Sequence, residues 1–257
     1  MYDLPFWLIV DVSTYIVATI IPYYLIYVKH IFNILVATIF CKVLHYLSIC
    51  EILMTYTEGE HPLEGQNWDL LDENSKSFLP SAELLFEYIS KLADTDYAPF
   101  IIQYCRALEN EILKKLFEAY HSDLYSREGN NSSFLSFDLE KDKKGEPKKS
   151  GKFASYLKSD NRKYTLGDMN FVMQLIKSGS RSLRDSPLLQ DFRRFALTYF
   201  DEKILEKKYL DQIDKINEDF RKKAAHPYIL DFQVAQLCRT TVRECLNEFL
   251  LSYKKIH

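Results

Sequence analysis

The stretch ILEKKYLDQIDKINEDFRKKAAHP, residues 204–227, decides the interpretation of this chain. Its apolar side chains recur every three to four residues, which is typical of the buried face of an amphipathic helix. Pro227 ends that helix, because the residue before a proline is pushed out of α geometry. His226 therefore lies where the chain leaves the helix, shortly after Arg221. The apolar positions are Tyr209, Ile213, Ile216 and Phe220.

The same helical period recurs through the rest of the C-terminal part, so the sequence predicts an all-α fold. The chain has only 7 Gly and 8 Pro, and this scarcity of turn formers favours long helices over a many-stranded fold. One long helix is expected over residues 97–121, and Thr165 with Asp168 has the spacing of a capping box. The other helices are expected to begin near Ser81, Pro187 and Val234.

Composition divides the chain into three parts. Residues 1–56 form an apolar N-terminal segment, which we expect to be helical. Residues 57–80 are polar and acidic, which is typical of a linker, and residues 81–257 form the helical domain. Within that domain, residues 126–164 show no sustained period and are rich in Ser, Asn, Gly and Lys, so they predict a long exposed loop.

The apolar run at residues 4–28 has two interpretations. It is long enough to cross a bilayer, because about 20 residues suffice for a helix. Lys29, His30 and Lys42 would then lie on the cytoplasmic side and anchor a cytoplasmic domain to the inner face of the membrane. In the second interpretation the run is buried in a soluble core; Asp11, a carboxylate at membrane depth, favours it.

A local basic region stands out in a chain whose formal net charge is -3. Residues 141–163 contain nine Lys or Arg against three Asp or Glu, and Phe153 and Tyr156 lie among them. Such a segment can follow an RNA backbone and stack bases on its aromatic rings. A flexible soluble insertion and an anionic membrane surface are the alternatives. The candidate RNA-binding residues are Lys148, Lys149 and Lys152.

The cysteine pattern excludes two classes of small domain. The five cysteines include no Cys-x-x-Cys pair, so neither a disulfide framework nor a zinc ribbon is expected, and a reducing cytoplasm fits. Cys238 and Cys245 lie seven residues apart on an expected helix and should face the core. The chain also has no Gly-rich phosphate loop and no His-Glu-x-x-His run, so we expect no metal and no cofactor.

The motif Phe220-Arg221-Lys222-Lys223-Ala224-Ala225-His226-Pro227 resembles the signature of the HEPN superfamily, an Arg separated from a His by four to six residues at a helix end. Two further stretches are similar to HEPN domains. Residues 101–117 (IIQYCRALENEILKKLF) resemble their first long helix, and residues 165–169 (TLGDM) resemble the turn before their next helix. The resemblance covers residues 81–257.

The resemblance implies a HEPN-like helical bundle and a metal-independent endoribonuclease that acts on RNA at a homodimer interface. Arg221 and His226 would be its catalytic pair, and Lys222 and Lys223 would contact the RNA. Such an enzyme would serve as a toxin or an antiviral-defence effector, restrained by a protein regulator or antitoxin. Lys222 stands where active members often have Asn, Asp or His, so the alternative is a catalytically inactive binding or assembly module.

The chemistry of the pair can be stated without the family. Histidine exchanges protons near neutral pH, and arginine binds phosphate through two parallel hydrogen bonds. Glu218 and Asp219 precede the motif and are candidates either to orient Arg221 or for a role at the surface. In the alternative interpretation, Arg221 is a solvated charge at the helix end and His226 satisfies a C-terminal carbonyl.

Overall fold

The computed structural model describes six stretches of the chain: residues 65–92, 95–129, 133–140, 148–159, 164–177 and 179–254. All of them belong to one compact unit, Gly59–His257. The apolar segment 1–56 and its candidate span 4–28 lie outside the described residues. Among the residues that are described, no helix combines the length and apolar character needed to cross a bilayer.

Eleven α-helices are present in the described stretches. The first five are α1 (Glu73–Ile89), α2 (Ala98–Ile112), α3 (Ala119–Glu128), α4 (Ser133–Leu139) and α5 (Gly151–Lys158). The others are α6 (Leu166–Ile176), α7 (Arg181–Asp185), α8 (Pro187–Tyr199), α9 (Lys207–Lys215), α10 (Lys222–Ala225) and α11 (Phe232–Ser252). Two π-helical segments, Leu113–Glu118 and Ile216–Arg221, and two 3-10 segments, Gly65–Leu70 and Glu202–Leu205, connect them.

The all-α prediction is confirmed. Within the described stretches no strand forms, and the nearest feature is an isolated bridge between Phe200 and Tyr253. Helix α2 is the centre of the bundle, because it packs against α1, α10, α11 and the π-helical segment Ile216–Arg221. Its buried face includes Phe100, Tyr104 and Leu108, none of which is accessible to solvent.

The prediction of a linker at residues 57–80 is wrong for residues 65–80, the part of this range that the structure describes. Helix α1 begins at Glu73, not after Ser81, and it runs through Pro80. Asp72 caps it by accepting the N–H of Asn74, and Asn110 of α2 donates to the same carboxylate, so tertiary contacts fix this end. Burial of Pro80 in the core compensates for the backbone donor that proline lacks.

The expected long loop at residues 126–164 is also corrected. It contains α4 and α5, which pack against each other. The fully buried carboxylate of Asp138 accepts hydrogen bonds from the hydroxyls of Ser150 and Ser186 and so ties this region to the start of α8. A short amphipathic helix has too few periods to stand out in a polar sequence, and only its burial reveals it.

Several expected helix signals are confirmed. Thr165 and Asp168 form a capping box at the start of α6, and Pro187 occupies the first turn of α8. The segment at residues 204–227 is helical, but it divides into the 3-10 segment, α9, the π-helical segment and α10. It ends at Ala225, immediately before His226 and Pro227.

Candidate active site

Arg221 forms an ion pair that the sequence analysis did not anticipate. Its Nε and Nη2 lie 2.8 and 3.0 Å from the two carboxylate oxygens of Glu109 on α2. The two side chains are 29% and 17% exposed, so Arg221 is neither solvated nor buried. Two of its five N–H groups are occupied by Glu109, and three are left for another acceptor.

Glu109 also joins the third stretch of the HEPN-like pattern to this pair. One of its oxygens accepts the backbone N–H of Leu166, the first residue of α6, at 3.2 Å. Gly167 lies close to the π-helical segment Ile216–Arg221, because a Cβ at that position would lie 2.9 Å from Nδ2 of Asn217. The stretches 101–117, 165–169 and 220–227 therefore meet at one carboxylate.

His226 terminates the helix in extended geometry, with φ -112° and ψ 165°. Its backbone N–H donates to the carbonyl of Lys223 at 3.2 Å, and its carbonyl accepts the N–H of Tyr228 at 2.7 Å. The imidazole itself is exposed. The backbone N–H rather than the ring thus satisfies the helix carbonyl, and the side chain stays available for chemistry.

A groove of about 450 Å³ runs along the outer side of α2. Arg221 and Glu109 line it together with Arg106, Asn110 and Phe78, whereas His226 is not part of its lining. The structure therefore places the guanidinium in the groove and the imidazole outside it, on the adjoining helix end.

The lysines beside the motif are neutralised within their own helix. Lys222 pairs with Glu218 at 2.5 Å and Lys223 pairs with Asp219 at 3.3 Å. Of the two interpretations of Glu218 and Asp219, the structure favours the surface role, because these carboxylates pair with the i+4 lysines on the same helix. The carboxylate that holds Arg221 is that of Glu109.

The basic region is described from Lys148 to Ser159. Lys148 donates to the carbonyl of Phe137 and lies 3.5 Å from the centroid of its ring. Lys152 pairs with Asp168 of the capping box, whereas Lys149 is exposed and has no hydrogen bond or ion pair with another described residue. These three lysines are not brought to Arg221 by any described contact.

The expectation that Phe153 and Tyr156 stack on RNA bases is wrong. Phe153 has no accessible surface and its ring centroid lies 4.8 Å from that of Phe192, and Tyr156 is only 6% exposed and packs on Tyr164. Helix α5 is amphipathic, so its aromatic rings face the core while its lysines face solvent.

Apolar side chains are exposed directly after His226. Tyr228 is 60% and Ile229 is 84% exposed. The backbone beneath them is fixed, because Leu230 donates to the Asp96 carboxylate at 3.0 Å and accepts the Tyr97 N–H at 2.9 Å. A firmly anchored loop that presents apolar side chains to solvent is typical of an interaction surface.

The cysteines and the acidic residues give no second site in the described stretches. Cys105, Cys238 and Cys245 are buried free thiols, which confirms the expected core positions of the last two. Burial raises the pKa of Cys245 to about 12, so that thiol is inert. Among the residues described here, no group of three or more His, Cys, Asp or Glu could hold a metal ion.

Sequence reasoning missed Glu109 and the groove residues Phe78, Arg106 and Asn110. The only available signal was the polar face of the helix 97–121, where Arg106 and Glu109 lie side by side. Comparison of the chain with protein-family models, with curated proteins and with solved structures finds no match. The geometry around Arg221, Glu109 and His226 is therefore the basis of the function proposed below.

Proposed function

We propose that the chain is a metal-independent HEPN-type endoribonuclease that cuts RNA with Arg221 and His226. The observation that carries this proposal is the meeting of the three HEPN-like stretches at Glu109, which holds Arg221 in a groove. An exposed imidazole lies at the end of the same helix. The contacts among these three stretches, which are far apart in sequence, support the proposal.

The reaction that suits these groups is attack of a ribose 2′-hydroxyl on the adjacent phosphate. His226 accepts the 2′ proton, a P–O2′ bond forms and the P–O5′ bond breaks. The products are a 2′,3′-cyclic phosphate and a 5′-hydroxyl. Arg221 stabilises the additional negative charge on the non-bridging phosphoryl oxygens through the N–H groups that Glu109 does not occupy.

A second copy of the chain completes this chemistry. The 5′ oxygen needs a proton as the 2′-hydroxyl loses one, and a single neutral imidazole cannot do both at once. His226 of a second copy can donate it if two helix ends meet about a two-fold axis. Tyr228 and Ile229, exposed beside His226, are the apolar residues that such a contact would cover.

A second function has its own support in the structure. Glu109 neutralises Arg221, while Glu218 and Asp219 neutralise Lys222 and Lys223. A surface whose cations are already paired is a weaker binder of RNA. These pairs favour a catalytically inactive HEPN-like module that binds or assembles with a partner protein.

An RNA-cleavage assay of the full chain in the presence of a chelator separates the two functions. We expect His226→Ala to slow cleavage by about 10²–10⁴-fold and Arg221→Ala by about 10²–10³-fold. Arg181→Ala is the control, because that side chain is 88% exposed on α7. Equal turnover in all four preparations, with unchanged circular dichroism, would support the inactive module. Three expectations stay predictions: the role as a toxin or defence effector, restraint by a protein regulator, and anchoring to a membrane.

A further inference from the structure

We infer that the groove beside Arg221 is a subsite for one unpaired nucleobase, with preference for a base that carries an exocyclic amino group. The inference rests on the proposed function, since it assigns the groove to the RNA whose phosphate Arg221 binds. The three residues that build the subsite are Phe78 of α1 and Arg106 and Asn110 of α2, all of which line the groove.

The first element of the subsite is a stacking plane. Cζ of Arg106 lies 4.2 Å from the centroid of the Phe78 ring, so the guanidinium rests on an aromatic face. Arg106 is exposed, and its one side-chain hydrogen bond to a described residue, to Gln103 at 3.3 Å, uses only Nη1. A planar base can stack on such a plane, because arginine and aromatic faces both bind bases in single-stranded RNA.

The second element is an oriented acceptor. Nδ2 of Asn110 donates to Asp72 and to Ser75, each at 2.9 Å, so both amide protons are used. The amide orientation is thereby fixed, and its Oδ1 accepts no hydrogen bond from a described residue. An exocyclic amino group of adenine, cytosine or guanine can donate to that oxygen, whereas uracil offers only its ring N3–H, whose two flanking carbonyl oxygens repel the amide oxygen.

Size and charge also fit a nucleotide. The groove volume of about 450 Å³ lies within the range of small-molecule sites. Ile102 and Leu113 supply apolar walls. The two positive charges of Arg106 and Arg221 exceed the single negative charge of Glu109, so the lining has a net positive charge of one. An acidic peptide would use the charge, and its backbone N–H groups could donate to the acceptor, but it would leave the stacking plane unused, so a nucleotide uses more of the features present.

Titration calorimetry on the full chain tests the subsite with adenosine, cytidine and uridine monophosphates and with inorganic phosphate. We expect adenosine and cytidine monophosphates to bind about tenfold more tightly than inorganic phosphate, with uridine monophosphate weaker than either. Arg106→Lys keeps the charge but removes the plane, so it should reduce adenosine monophosphate affinity about tenfold. Phe78→Leu should act in the same direction, and the exposed control Arg181→Lys should change nothing.

Three outcomes would overturn the subsite. These are equal affinity for adenosine monophosphate and inorganic phosphate, unchanged affinity in Arg106→Lys, and displacement of the nucleotide by a hexaglutamate peptide at lower concentration. The titration requires no cleavage, so its failure is distinct from failure of the nuclease. Nucleotide binding without RNA turnover would reject the nuclease alone, and turnover without base discrimination would reject the subsite alone.

Discussion

The structure contains two arginine–glutamate pairs that can be compared, Glu83 with Arg239 and Glu109 with Arg221. Their surroundings differ. In the first, Glu83 of α1 accepts from Nε of Arg239 at 2.9 Å and also from the hydroxyl of Tyr104, and its carboxylate is 3% exposed. Burial, and then the Glu83 charge, raise the pKa of Tyr104 well above its ordinary value, so it remains a donor. This carboxylate is nearly inaccessible to solvent, although the Arg239 side chain is 35% exposed.

The second pair, Glu109 with Arg221, uses the same chemical groups but is left open. Its carboxylate is 17% exposed and the pair faces a groove, whereas the Glu83 side chain is 3% exposed and accepts the Tyr104 hydroxyl, and Arg239 lies over the Phe86 ring. A pair that serves only the fold would be expected to resemble the first. From this contrast we infer that a bidentate arginine–glutamate pair indicates a binding site only where the arginine keeps free N–H donors beside an accessible groove.

The largest expected effect is a loss of folding stability when the Glu83–Arg239 pair is removed. Glu83→Ala leaves the Tyr104 hydroxyl and the partly buried Arg239 guanidinium without their acceptor, so we expect a loss of about 3 kcal/mol in the free energy of unfolding. Urea denaturation followed by circular dichroism measures it. The matched control is Glu73→Ala, whose side chain is 86% exposed in its pair with Lys76 and should cost less than about 0.5 kcal/mol. Equal losses in the two variants would contradict the distinction.

The next effect is on catalysis at the open pair. Glu109→Gln keeps the shape of the side chain but removes the charge that holds Arg221, so kcat for RNA cleavage should fall about tenfold. KM should not rise, because the substrate phosphate no longer competes with a carboxylate for the guanidinium. Steady-state kinetics separates the two constants. A raised KM with unchanged kcat would show that Glu109 does not position Arg221 for the chemical step.

A smaller effect is expected at the capping box, which fixes the α6 backbone that donates to Glu109. Burial raises the pKa of the Asp168 carboxyl group, but hydrogen bonds from Lys152 and Thr165 together lower it by more than that. Its pKa is therefore below the ordinary value. Asp168→Asn should therefore cost about 1 kcal/mol near neutral pH.

The sign of the Asp168 effect with pH follows from that shift. A depressed carboxylate pKa contributes stability above the unfolded value of about 3.9, and this contribution is lost as pH falls through the folded pKa. Urea denaturation at pH 7 and at pH 2–3 should show the two proteins converging in acid. A difference that persists at the lower pH would assign the loss to packing instead.

Strongly periodic helices could be predicted from sequence, whereas contacts between distant segments could not. The apolar positions around Tyr209 and Phe220 specify a helix by themselves, because burial of one face determines their spacing. Helix α1 was misjudged since its start depends on Asn110, which is far away in sequence. Pro80 lies inside this helix and is buried, because core burial can outweigh the local cost of a proline.

The candidate site shows the same limit. Arg221 and His226 were found because their spacing at a helix end is a local pattern. Glu109 was not, since residues 112 positions apart are paired only by the tertiary fold. Phe153 was assigned to the surface because its neighbours in sequence are basic, and only the packing of α5 shows that its ring faces inward.

If His226 and Arg221 act as proposed, a ribose 2′-hydroxyl attacks the adjacent phosphate, and the cut ends record that chemistry. Mass spectrometry identifies these ends for an RNA oligonucleotide and for the same strand with 2′-deoxyribose at the cleaved position. We expect 2′,3′-cyclic phosphate and 5′-hydroxyl ends from the first strand, none from the second, and none with His226→Ala. Products bearing 5′-phosphates, or cleavage of the deoxy-substituted position, would rule out this mechanism.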